Sequence, residues 1–158
     1  MIKIIIRPLL LLVFLITVNC GYKVLDNSKT DDLNIKEIKT SGNKRINFKI
    51  KNNLIVAFSK NSKNNLILEL YTEKKKEIKE KNIKNEITKY KISLNSNVKL
   101  NFLENNRKEE FDIISNGDYP VGNKYSTTVK NEKRLIEDLT NDLSNQIKNK
   151  INLMLNDL

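Results

Sequence analysis

The chain has 158 residues, 29 Lys and Arg against 19 Asp and Glu for a net charge of +10, one cysteine and no histidine. That length suits a single domain able to bury enough apolar surface to fold alone, and a lone cysteine excludes an internal disulfide. Without histidine, acid–base and metal chemistry built on imidazole is excluded as well.

Lys3 and Arg7 precede or enter an apolar run whose core, Leu9 to Val18, is shorter than the ~20 residues a bilayer span needs. This is the pattern of a removable export signal over residues 1–19. Its end, Leu15-Ile16-Thr17-Val18-Asn19-Cys20, places the cysteine where a bacterial lipoprotein signal has the residue that takes a diacylglycerol on sulfur. Thr17 stands where such sites favour Leu, and Asn19 where they favour Gly, Ala or Ser. An ordinary secretory signal and an uncleaved N-terminal anchor are the alternatives, and all three put the remainder outside the cytoplasm. Residues 20–32 are polar and unperiodic, as expected of a lipidated start and tether, and 33–158 form the domain.

Leu33 to Ile38 alternates and predicts a first strand. Thr40-Ser41-Gly42-Asn43 is a turn, with Asn43 placed to cap a helix carrying Ile46, Ile50, Leu54 and Phe58 on one side. The run from Ser59 to Asn65 ends it. Leu66 to Thr72 predicts a strand; the Lys/Glu-rich stretch from Glu73 to Lys84 reads either as a solvated loop or as its extension. Even positions from Thr88 to Phe102 are mostly apolar and odd ones polar, which predicts a long strand buried on one face only. A hairpin turn over Glu104–Glu109 leads to a strand from Glu110 to Ser115, with Phe111 and Ile113 inward. Asn116-Gly117 reads as another turn, and Pro120 and Gly122 keep the following residues irregular or at a sheet edge. Leu135, Leu139, Leu143, Ile147, Ile151 and Leu155 recur every four residues and predict a C-terminal helix capped by Thr128 or Asn131. Its polar side carries both charge signs, which favours packing on the sheet over lying on a membrane.

A basic chain invites a nucleic-acid partner, but export argues against one. AT-rich coding, visible in the abundance of Lys, Asn and Ile, is a non-functional source of the charge; attraction to an anionic envelope surface is the functional one. No nucleophile elbow, glycine-rich phosphate loop or calcium-loop spacing occurs, and the acid pairs Asp31/Asp32 and Glu109/Glu110 are sequence neighbours that do not converge. The expectation is a non-enzymatic protein with no cofactor and no metal site.

The Cys20-Gly21-Tyr22 start, the tether, the helix at Ile46–Phe58, the long alternating strands and the C-terminal helix together resemble the LPS-assembly lipoprotein (LptE) family across essentially the whole mature chain. The departure at Asn19 bears on processing. The resemblance implies an α+β two-layer sandwich, two helices on one face of a mostly antiparallel four-stranded sheet. It further implies a lipid-anchored protein on the periplasmic side of the outer membrane, in a 1:1 complex with the β-barrel LptD. There it plugs the barrel, assists its assembly and helps deliver lipopolysaccharide to the outer leaflet. Arg107 and Lys108, at the expected hairpin tip, are candidate phosphate contacts, with a solvated turn as the plainer explanation. The reading from a different class is a lipid-anchored periplasmic binding or scaffold module unrelated to lipopolysaccharide export.

Overall fold

The computed structural model describes residues 33–58 and 64–156; the segments expected to be the export signal and the tether, with Cys20, lie outside them, as do residues 59–63 of the run expected to end the first helix. The order is β1 (Leu33–Gly42), α1 (Lys44–Phe58), β2 (Asn64–Lys81), β3 (Ile87–Phe102), β4 (Arg107–Pro120) and α2 (Tyr125–Asn156). The four strands form one sheet in sequence order; β1 runs parallel to β2 through the α1 crossover, and the other two pairings are antiparallel. Both helices pack on the same face, α1 over β1 and the start of β2, α2 over β4 and β3. This is the α+β sandwich expected, with a mixed sheet.

The core follows the predicted parities. Leu66, Leu68 and Leu70 of β2 and Ile92, Leu94, Val98, Leu100 and Phe102 of β3 are buried against Ile46, Ile50, Leu54 and Phe58 of α1 and Leu139, Leu143, Ile147 and Ile151 of α2. Each such side chain contributes about 1.5–3 kcal/mol by leaving water. Asn43 caps α1 as predicted, its Oδ1 accepting from the Ile46 amide at 3.2 Å. A polar belt crosses the layer: the Thr72 and Ser96 hydroxyls bond each other at 2.8 Å, and Ser115 donates to Asp142 at 2.6 Å. Burying these groups is tolerated because each is paired.

Several boundaries differ from expectation, each for a physical reason. In β1 the register slips between Ile35 and Glu37, so the buried parity passes from Leu33 to Ile38 and the strand continues to Gly42. Glu73 to Lys81 is strand, paired with residues 87–95, although it is exposed on both sides. β4 is unbroken through Asn116-Gly117, where a turn was expected. Gly117 pairs with Ile92, and a Cβ on it would lie 2.8 Å from Leu135 Cδ1; the glycine makes room for α2. The β3–β4 turn closes earlier than Glu109, because Asn106 takes a left-handed φ of 54° and lets Arg107 begin the strand. Finally α2 starts at Tyr125, ahead of both expected caps. Thr128 Oγ1 instead accepts from the Gly122 amide at 2.9 Å, and Asn131 Nδ2 donates to the Pro120 carbonyl at 3.1 Å.

Candidate functional site

Charge is distributed unevenly over three surfaces. The outer sheet face, away from the helices, pairs its charges internally: Lys39 with Glu69 (3.7 Å), Lys99 with Glu110 (3.5 Å), Lys79 with Asp118 (3.0 Å) and Lys89 with Glu80 (3.0 Å). Asn97 Nδ2 also donates to both Glu110 and Asp112 at 2.9 Å. Such exposed pairs add little stability. Their effect is to set opposite charges side by side on a hydrated face.

On the helix side, the even residues of the exposed β2 extension reach α2. Lys76 donates to Glu132 Oε2 at 2.7 Å, Tyr119 donates its hydroxyl to the same oxygen at 2.9 Å, and Lys74 lies 3.6 Å from Glu132 Oε1. The Lys76 ammonium sits 4.4 Å from the Tyr90 ring centroid, and Tyr90 stacks on Tyr119 at 5.6 Å. Burial works against the Lys76 charge, but the hydrogen bond to Glu132 and that carboxylate's charge outweigh it and hold the Lys76 pKa above its ordinary value. Burial would likewise raise Glu132; hydrogen bonds from Lys76 and Tyr119 and the nearby ammonium charges hold it below the usual carboxylate range. Burial also pushes the Tyr119 hydroxyl up, with the adjacent carboxylate adding to it. Near neutral pH these groups keep their charge states, so the cluster pins the first turns of α2 to the sheet.

The third surface lies where α1 crosses α2. A cleft of about 350 Å³ is lined by Asn43, Arg45, Ile46, Lys49, Lys74, Lys133, Ile136, Glu137 and Thr140. Lys49 bonds Glu137 at 2.6 Å, which holds that carboxyl below its ordinary pKa. Arg45 and Lys133 have no ion-pair partner among the described residues. Lys74 and Lys133 reach this cleft from β2 and α2, a convergence that sequence spacing cannot display.

The two sequence-predicted contacts do not converge. Arg107 opens β4 on the helix side, half-buried, with Nε 2.7 Å from Glu109 Oε1 and its guanidinium 5.9 Å from the Phe102 ring centroid. Lys108 points to the outer face, into a depression of about 510 Å³ shared with Lys39, Glu69, Lys99 and Glu110. Adjacent strand residues alternate in direction, and Arg107 already has a carboxylate. Among the described residues no three His, Cys, Asp or Glu side chains cluster for a metal, and no helix is long and apolar enough to cross a membrane.

No family model matches the chain, and no curated protein matches it by sequence. Solved structures do match in fold. Rare lipoprotein B from Shewanella oneidensis is similar with a TM-score of 0.57 and 10% identity, over 73% of this chain and 92% of that one. A putative lipoprotein from Caulobacter crescentus gives 0.55 and 10%, over 82% and 94%. A minor lipoprotein from Acinetobacter baumannii gives 0.50 and 12%, over 76% and 94%. The sandwich is thus a fold shared with these lipoprotein structures over nearly the full length of those chains.

Proposed function

We propose that the chain is a lipid-anchored outer-membrane protein of the LPS-assembly lipoprotein type. In this reading Cys20 carries the lipid, and the domain plugs a β-barrel partner of the LptD kind from the periplasmic side. It assists assembly of that barrel and passage of lipopolysaccharide to the outer leaflet, without catalysis of its own. The observation that carries the reading is the one-sided sandwich shared with rare lipoprotein B and two further lipoproteins over more than nine-tenths of their lengths. The export pattern ending at Cys20 is independent support from sequence. So is the outer sheet face, since charges paired within it suit the water-filled interior of a barrel.

The test is capture of the tagged full chain from detergent-solubilised outer membranes. A large β-barrel recovered in equal amount is the expected result; its absence would sink the barrel reading. Cys20→Ala should abolish fatty-acid labelling of the chain, and labelling that persists would move the anchor elsewhere.

A further inference from the structure

The outward side of α1 is turned away from the hydrophobic core. Its inner stripe already supplies Ile46, Ile50, Leu54 and Phe58 to the core. Opposite these, Phe48 is 67% exposed, Ile55 40% and Val56 82%. With Asn52 between them they occupy positions i, i+4, i+7 and i+8, one side of the helix over about 12 Å. The helix contains Lys44, Arg45, Lys49 and Lys51 and no acid. Of these cations, Lys44, Arg45 and Lys51 make no ion pair with a described residue.

We propose that this side of α1 is a docking surface for an anionic phospholipid bilayer, with Phe48, Ile55 and Val56 entering the headgroup layer and Lys44, Arg45 and Lys51 meeting lipid phosphates. Exposed aromatic and aliphatic side chains bordered by unpaired cations are what a helix lying in a bilayer interface requires. Chain geometry agrees. α1 ends at Phe58, and β2 begins at Asn64 beside Leu33, so Ile55 and Val56 lie at the end of the sheet where the first 32 residues join the domain. Those residues contain the apolar run and Cys20. A second copy is a poor occupant, because a two-fold contact through this side would set one acid-free helix against another. The proposal goes beyond the barrel reading and does not depend on it.

The test uses the full chain with Cys20→Ala, so that an introduced cysteine is the only thiol, carrying an environment-sensitive fluorophore at Val56→Cys or, as a control on the outer sheet face, at Ile114→Cys. Ile114 is 59% exposed, so the two sites start comparably wet. With vesicles containing phosphatidylglycerol, the label at 56 should shift to the blue and be quenched by a lipid-borne quencher, while the label at 114 stays in water. Pure phosphatidylcholine vesicles should give neither effect, which separates docking by α1 from any membrane attachment of the N-terminal segment. Lys44→Glu/Arg45→Glu/Lys51→Glu should weaken partitioning by about 100-fold or more, at roughly fivefold for each cation lost. A label at 56 that stays wet on anionic vesicles, or responds equally to both lipids, overturns the proposal. Shielding without vesicles that grows with protein concentration would assign the surface to a second copy. Shielding only on addition of solubilised outer-membrane protein would assign it to a protein partner; either result also overturns the lipid assignment.

Discussion

The two helices lie side by side on one sheet face and send the same kind of stripe inward, yet their outer sides differ in kind. α2 alternates its charges, with Glu132, Glu137, Asp138 and Asp142 among Lys133, Arg134, Lys148 and Lys150, and uses several to bind neighbours. α1 has cations only and exposes Phe48 and Val56. A compositional bias toward Lys, Asn and Ile acts on both helices alike, so it accounts for the abundance of lysine and not for the contrast. The inner sides are where the helices should behave the same. Ile50→Ala and Leu143→Ala each empty a fully buried site, and each should cost about 3 kcal/mol in urea unfolding. A much smaller loss for Ile50→Ala would mean that α1 is only loosely part of the core.

The next difference is electrostatic. Glu132 on α2 is tied to Lys76, Tyr119 and Lys74, and α1 has no counterpart to this cluster. Because the Glu132 pKa is lowered in the fold, its contribution is fully present above the carboxylate's unfolded value and is lost as pH falls through the lower folded value. Lys76 has the opposite sign: its raised pKa contributes below the unfolded lysine value and is lost only at strongly alkaline pH. Glu132→Gln should therefore cost about 1–2 kcal/mol at neutral pH and should flatten the loss of stability on acidification below about pH 4.5. An unchanged acid limb in the variant would show that other carboxylates govern that range.

Legibility in the sequence tracked one-sided burial. From Thr88 to Phe102 one face is wet and one dry, and period two displayed the strand plainly. Glu73 to Lys81 is wet on both sides, so backbone pairing to β3 holds it as strand with no apolar alternation to reveal it. Gly117 read as a turn because its small size answers to Leu135, eighteen residues away, and not to local backbone conformation. The parity switch at Lys36 likewise depends on register with β2. Among site residues, the acid-free character of α1 was visible in the sequence. The hub at Glu132 was not, since its lysine partner is 56 positions away and meets it only across the sheet. Arg107 and Lys108 looked like a pair because the turn was expected to run to Glu109; once β4 starts at Arg107, strand alternation separates them.

The smallest expected effect is the sharpest test of the contrast between the helices. Phe48 and Val56 are mostly in water, and Ser has about the same helix propensity as either. Phe48→Ser and Val56→Ser should therefore shift unfolding stability by no more than about 0.5 kcal/mol, with an unchanged denaturant slope. Phe48 and Phe58 sit ten residues apart on the same helix, one exposed and one fully buried, so Phe58→Ala should cost about 3–5 kcal/mol under the same conditions. A loss of about 2 kcal/mol from Phe48→Ser would place that side chain in the folding core and leave no free apolar side on α1. Near-zero cost separates the two roles: Phe58 serves folding, and Phe48 and Val56 are left free for the bilayer contact proposed for α1.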